Sequence, residues 1–398
     1  SRLPPEHEHV QGAGGQPGGR HRQGAVWFPH PPSACRQHRS CYCMITSIQE
    51  SETLFTTIRI LVPGTSSRFR CGGLSVAKQT VRLLSELRPT TLVTYRERTV
   101  QHPFIDDLLK EELVDDKCLW IVTWGFDVPR LLKRLRGRNV IYHAHSSGYG
   151  FKLPPSVPIV AVSRNTMGYW GHHASRNPLF FIPNALESQW IERGDLNGDL
   201  AIRPIDVLVQ KRKSSNYLLF ELVPALRAKG LRVEIQNDWV EDIVRLFNDS
   251  KVFLYDSTEH WSAAGVTEGF GLPPVEAMAC GCIVFSSLNH ALSDILTPGE
   301  IGHQIGCGSL SNDVNRIIAA VCNPSDWKSS STGLDLALRE LSEESHVKRW
   351  KDVLHQIDQL VPIIYESNFI KQRSRIRIVT IKLFDKVRFF ISKLLVTS

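Results

Sequence analysis

The chain has 398 residues, and several of the patterns that would place it quickly are missing from it. No apolar run approaches the ~20 residues of a bilayer span, so no membrane-crossing helix is expected. The nine cysteines include no C-x-x-C pair; Cys41/Cys43 and Cys280/Cys282 are only C-x-C. Neither a zinc site nor a disulfide framework fits that scatter, and a reducing, cytoplasmic compartment is expected. A basic n-region followed by an apolar stretch, the mark of a secretory leader, is also missing from the first residues. With 42% hydrophobic and 22% charged residues the composition is that of a globular chain long enough for two to three domains.

The net charge of +7 is unevenly placed. Residues 1–43 carry +3 and residues 371–398 carry +7, which leaves the body, 44–370, at −3. A slightly acidic body argues against a nucleic-acid partner. Residues 1–43 contain no Ile, Lys or Asp and a single Leu, and show neither helical nor strand periodicity. They are expected to be a disordered extension upstream of the folded protein, which then begins near Met44.

From Met44 the pattern alternates short apolar strands with amphipathic helices. Strands are expected at 57–63, 91–95, 119–123, 139–143, 159–163 and 179–183, with helices at 75–87, 105–114 and 128–135 between them. A second series has strands at 206–210, 232–236, 252–256 and 283–286, and helices at 217–229, 240–248 and 274–280. Such alternation means α/β architecture with parallel sheets covered on both faces. The polar segment 192–199 separates the series, so two doubly wound, Rossmann-like domains are expected, at 44–190 and 191–365, with a tail at 366–398. Ligands of such sheets bind beyond the carboxyl ends of the strands, in the crevice between domains.

The segment 268–282, EGFGLPPVEAMACGC, is the richest in chemistry. Glu268 and Glu276 are eight residues apart, and Gly269 and Gly271 flank Phe270. Leu272 and two prolines follow, at the start of a short helix where a missing backbone donor costs nothing. Glycines before a helix let backbone amides approach an anion, which the helix dipole also favours. The carboxylates can accept hydrogen bonds from sugar or ribose hydroxyls; a tight strand-to-helix turn, with Glu276 compensating the dipole, is the simpler alternative.

EGFGLPPVEAM resembles the E-x7-E motif of retaining GT-B glycosyltransferases, in particular glycosyltransferase family 4. The resemblance implies a GT-B fold and metal-independent transfer of a sugar from a nucleoside-diphosphate sugar to an acceptor hydroxyl. It implies that Glu268 contacts the donor sugar and Glu276 the ribose, with Gly269, Phe270, Gly271 and Leu272 lining the donor. Gly72 and Gly73, after the first strand, match the glycine loop beneath the donor phosphates. Arg212 and Lys213, after the first strand of the second domain, match the basic pair that neutralises the diphosphate, with Lys211 adjacent. His143 and His145 end a strand where the family often places a histidine close to the donor sugar. An H-x-H pair is also half of a metal site, but no D-x-D triplet occurs, and the family needs neither a metal nor another cofactor. The segments AVSRNT (161–166) and IPNAL (182–186) resemble those leading to the hinge. Two departures stand out: Ala185 replaces a glycine, and the loop after Ser287 reads LNHALSDIL where the family is often glycine-rich.

Family habit places such an enzyme in surface-polysaccharide or glycolipid synthesis, with a glycan or lipid-linked acceptor. A sugar-nucleotide epimerase of the same fold, and a catalytically inactive GT-B partner subunit, are the alternatives. The tail mixes cations with apolar residues (Ile376, Leu383, Phe384, Val387, Ile391, Leu394 and Leu395) that share one face of a helix. Peripheral association of 371–398 with an anionic membrane surface is therefore expected, against packing of a terminal helix onto the first domain.

Overall fold

The computed structural model describes residues 53–111 and 117–366, together with 379, 380, 383, 384 and 387. The extension at 1–43 and most of the basic tail lie outside the described residues. Two parallel sheets form the framework. The first contains β1 (Thr57–Val62), β2 (Thr90–Thr94), β3 (Cys118–Val122), β4 (Asn139–Ala144), β5 (Ile159–Ala161) and β6 (Leu179–Phe181), in the order β2-β1-β3-β4-β5-β6. The second contains β7 (Ile205–Gln210), β8 (Val233–Gln236), β9 (Ser250–Tyr255), β10 (Ile283–Ser286) and β11 (His303–Gln304), in the order β11-β10-β9-β7-β8.

Helices cover both faces, as buried parallel strands require. Around the first sheet run α1 (Gly72–Leu84), α2 (Ile105–Glu111), α3 (Val128–Arg134) and α4 (Arg164–His173). Helix α5 (Ser188–Arg193) leads into the second unit, where α6 (Val223–Ala228), α7 (Ile243–Asn248), α8 (Thr258–Ala264), α9 (Leu272–Ala279), α10 (Leu292–Ile295), α11 (Leu310–Cys322) and α12 (Ser331–Glu340) follow. The last, α13 (Glu343–Glu366), returns to the first sheet. No helix among the described residues is long and apolar enough to cross a membrane.

The twofold alternation along a strand divides each core. In β1, Ile58, Ile60 and Val62 face α1 and α13, while Leu61 joins Trp120, Tyr142 and Trp170 on the opposite face. In β7, Leu208 packs towards α7, α9 and α12, whereas Val207 and Val209 pack towards α6 and α11. Helix α13, within the range assigned to the second domain from sequence, buries Trp350, Val353, Leu354 and Ile357 against the first sheet. Glu343, in its first turn, accepts a hydrogen bond from Gln79 of α1 at 2.8 Å and pairs with Arg82.

Differences from the sequence expectation have local causes. Helix α4 was not anticipated, because its stretch is polar; its start is fixed by Ser163, whose hydroxyl accepts from the Thr166 amide. The expected helix over 217–229 is a π-helical segment, Tyr217–Leu222, running into α6. Pro224, without an amide donor, sits just past that change of pattern. Helix α9 begins at Leu272, earlier than expected, because Gly271 takes the left-handed conformation (φ 92°) and turns the chain at once.

In both sheets the strand order reverses beside the first strand, between β1 and β3 and between β7 and β9. These are the switch points where an open parallel sheet leaves a crevice at its carboxyl ends. The loops leaving β1, β4, β7, β9 and β10 supply the residues of the next section.

Candidate functional site

Glu268 lies between α8 and α9 and is almost wholly buried at 4% exposure. A buried carboxylate needs partners, and this one has three. The Tyr255 hydroxyl donates to Oε2 at 2.6 Å, and the Trp261 indole Nε1 donates to the same oxygen at 2.7 Å. Lys213 Nζ stands 3.5 Å from Oε1 and 4.5 Å over the Trp261 ring. Burial first, and then the charge of Glu268, hold the Tyr255 phenol well above its ordinary range, so it remains a donor.

Lys213 takes a left-handed backbone conformation (φ 71°) in the turn after β7. That conformation is costly for a side-chain-bearing residue and is characteristic of functional loops. The turn is fixed by the Ser215 amide donating to the Asp256 carbonyl at 2.9 Å, which ties the loops after β7 and β9 together. Of the three adjacent cations, Lys213 reaches Glu268, whereas Lys211 and Arg212 are exposed to solvent. One ion pair leaves the Lys213 ammonium with further protons to donate.

The backbone on either side of Glu268 is equally constrained. Its amide donates to His290 Nδ1 at 3.3 Å, which leaves the proton of a neutral imidazole on Nε2. His290 is itself left-handed (φ 55°), in the loop that reads LNHALSDIL where the family is often glycine-rich. A side chain at Gly269 would fall on the His145 carbonyl oxygen, and one at Gly271 on Leu292. Phe270 is a core residue at 6% exposure, and Leu272 is half-buried at the start of α9.

Glu276 sits on α9, half-buried, its carboxyl without a hydrogen-bond partner among the described residues. Burial first, then the nearby charge of Glu187, push its carboxyl up to about 8, while Lys213 opposes the shift. Near neutral pH it therefore presents both a hydroxyl donor and a carbonyl acceptor.

The loop after β4 is stitched to this region. Ser146 Oγ donates to the Thr267 carbonyl at 2.7 Å, and the Ser147 amide donates to Thr267 Oγ1 at 3.1 Å. His145 is half-buried at the same turn, while His143 is packed below it at 1% exposure. The His143 ring lies 4.2 Å from that of His145 and 5.3 Å from that of Trp350 on α13, and its Nε2 has no partner. Burial, followed by the neighbouring histidines, holds His143 well below its ordinary range and His145 at about 4. Both are neutral at physiological pH.

Gly72 and Gly73 open α1, which has no side-chain cap and no acidic residue in its first turn. Space lies in front of Gly72, and the nearest groups to a Cβ on Gly73 would be Cys71 Sγ at 3.8 Å and Trp124 at 4.0 Å. An uncapped helix start of this kind, with glycines at its first two positions, is a ready position for an anion. Arg70, just before α1, lies 5.0 Å over the ring of Trp239, from the loop after β8. Among the described residues no cluster of three His, Cys, Asp or Glu is arranged to hold a metal ion.

Tyr255, Trp261 and His290 were not foreseen. Trp261 carried the one available signal, an aromatic residue in a polar segment seven residues before Glu268. Tyr255 and His290 become neighbours of Glu268 only through the ends of β9 and β10.

This arrangement, two parallel-sheet domains with carboxyl-end loops meeting across a crevice, recurs in solved structures. Anabaena Alr3699/HepE, crystallised with UDP and glucose, superposes with a TM-score of 0.53 at 15% identity, over 76% of this chain and 100% of that one. A glycosyltransferase from Rickettsia africae gives 0.53 at 11% identity, over 76% and 98%. The sucrose-phosphate synthase of Thermosynechococcus elongatus gives 0.51 at 13% identity, over 77% and 100%. The fold is GT-B. Residues 230–331 match the family described as glycosyl transferases group 1, and that stretch contains Glu268, Glu276 and His290. No curated protein sequence matches the chain significantly. In GT-B terms, the loops after β1 and β4 belong to the first domain and those after β7, β9 and β10 to the second.

Proposed function

We propose that this chain is a retaining glycosyltransferase of family 4 type, moving a sugar from a nucleoside-diphosphate sugar to an acceptor hydroxyl. The observation that carries the reading is Glu268: a buried carboxylate held by Tyr255, Trp261 and Lys213 where the carboxyl-end loops of both sheets meet. A structural carboxylate gains little from such a costly position, whereas a group that orients sugar hydroxyls needs one fixed geometry.

In the reaction the bond between the anomeric carbon and the diphosphate oxygen breaks, and the acceptor oxygen bonds to that carbon on the same face. The acceptor proton passes to the departing phosphate. Negative charge grows on the diphosphate, so preorganised donors aimed at it contribute most. Lys213, Arg212 and the amides at Gly72 and Gly73 take that role. They supply the positive charge, so the reading requires neither a metal nor another cofactor. Glu268 positions the sugar, with Gly269, Phe270, Gly271 and Leu272 shaping its site, and neutral Glu276 pairs with the ribose hydroxyls. His145, the less buried histidine, contacts the sugar side, and His143 supports it from beneath.

Surface-polysaccharide or glycolipid synthesis on the cytoplasmic side suits this reading, with a glycan or lipid-linked acceptor. Support comes from the C-terminal segment, where the described apolar residues Val379, Leu383, Phe384 and Val387 are all exposed. With eight basic residues against one acidic in 371–398, such a face suits peripheral contact with an anionic membrane. The test is product analysis: a glycoside with the donor's anomeric configuration, formed in EDTA together with free nucleoside diphosphate, supports the proposal. An isomerised sugar nucleotide overturns it in favour of an epimerase.

A further inference from the structure

A second concave site lies at the opposite end of the first sheet. The last turn of α3, the turn at 135–138 before β4, and the segment 152–157 before β5 border a half-open cavity of about 440 Å³. All three segments lie at or lead into the amino ends of β4 and β5, whereas Gly72, Gly73 and His145 lie at carboxyl ends. The cavity is therefore separate from the GT-B crevice.

Among the described residues its lining is basic without compensation: Lys133, Arg136, Arg138 and Lys152 line it, and no acidic residue does. None of the four side chains makes an ion pair or hydrogen bond among the described residues. Composition does not explain the cluster, because the body of the chain is net acidic at −3. The α3 dipole accounts for a cation in its last turn, and Arg134 there already pairs with Asp106. It does not account for Arg138 or Lys152, which come from other segments. One wall is pinned rather than loose: Asn177 Nδ2 donates to the carbonyls of Pro154 at 2.6 Å and Val157 at 2.8 Å. Ser156 adds a hydroxyl, and Leu132, Val140 and Val157 give an apolar floor.

Four like charges around one cavity repel each other, and a bound anion removes that repulsion. A tetrahedral phosphate suits several lysine and arginine donors around one cavity, the two arginines being able to bind it bidentately. We propose that this cavity is a binding site for a phosphate group outside the GT-B crevice, carried by a lipid headgroup or by a soluble phosphorylated ligand. It goes beyond the glycosyl-transfer reading and does not depend on it.

The experiment uses the full chain in phosphate-free buffer, with Arg136→Ala/Arg138→Ala and Lys133→Ala/Lys152→Ala as variants. Arg136, Arg138, Lys133 and Lys152 are all at least partly solvent-exposed, so both variants are expected to fold, which a thermal melt checks. Sedimentation with phosphatidylcholine–phosphatidylglycerol vesicles is compared with pure phosphatidylcholine. Inorganic pyrophosphate is titrated in parallel by calorimetry, with Lys213→Ala to remove the crevice contribution. A loss of about 30-fold in anionic-vesicle binding by either double variant, with the tail intact, supports the site and assigns it to lipid headgroups. A similar loss in pyrophosphate affinity with unchanged vesicle binding supports it and assigns a soluble ligand. Unchanged affinity for both probes in both variants overturns it. Donor binding in the crevice is unaffected in every case, so failure here is distinct from failure of the glycosyltransferase reading.

Discussion

Replacing Glu268 by glutamine or alanine separates what the carboxylate does for the fold from what it does for a ligand. In Glu268→Gln the amide oxygen can still accept from Tyr255 and Trp261, which donate at 2.6 and 2.7 Å to a single oxygen. The amide nitrogen then replaces Oε1 and faces the Lys213 ammonium, donor against donor, at a site where the ion pair spans 3.5 Å. Two charge-assisted hydrogen bonds become neutral ones, at a cost of about 1–2 kcal/mol in stability. Glu268→Ala leaves the Tyr255 hydroxyl and Trp261 indole without an acceptor, which costs about 2–5 kcal/mol. The two variants therefore differ clearly in thermal unfolding. In transfer they should agree: both lose the oriented charge, and kcat/KM falls by ~10²-fold or more. Denaturant unfolding and initial-rate kinetics on the same preparations check both halves. Wild-type transfer by Glu268→Gln, with the expected loss of stability, would refute the role given to this residue.

Other outcomes follow from the same geometry. Lys213→Ala should cut transfer by ~10²-fold, and the exposed Arg212→Ala by less, read from kcat/KM with the donor varied. His145 and His346 are held at about 4 by burial, below their ordinary 6.5. Each is neutral when folded and binds a proton more readily when unfolded. Their contribution is thus complete above pH 6.5 and is lost as the pH falls towards 4, a loss visible as a falling melting temperature. His346 also ties α13 to the segment just after β6, since it accepts from Trp350 Nε1 at 3.0 Å and donates from Nδ1 to the Pro183 carbonyl at 2.9 Å. Trp350→Ala should cost ~3–5 kcal/mol by denaturant unfolding, because its fully buried ring anchors α13 to the first sheet.

Much of this architecture is local enough to be legible in sequence. The strands are short β-branched runs, and Gly271 with two following prolines marks the start of α9. Residues Glu268 to Glu276 lie in one continuous segment, so their spacing is visible without a structure. What escaped notice depends on chain segments meeting in space. Tyr255 and Trp261 are recognisable as partners only once α8 has folded back over the end of β9. His290 lies in a loop that the family resemblance would make glycine-rich, and its Nδ1 contact with the Glu268 amide depends on how that loop leaves β10. The burial of His143 is set in part by Trp350, a residue far away in sequence, whose helix packs against the first sheet. Lys213 could not be told from Lys211 and Arg212 by composition; its left-handed backbone turns it towards Glu268.

The central claim is that the crevice binds a nucleoside-diphosphate sugar through Lys213 and Glu268. The direct measurement is thermal unfolding, without added metal, against a panel of nucleoside diphosphates and their sugars, in the wild type and in Lys213→Ala. A ligand that binds only the folded state raises its stability in proportion to affinity and concentration. The account predicts a selective rise in melting temperature with one nucleotide series, larger with the sugar attached, and a much smaller rise in Lys213→Ala. No shift with any member of the panel, or an equal shift in both proteins, would contradict it.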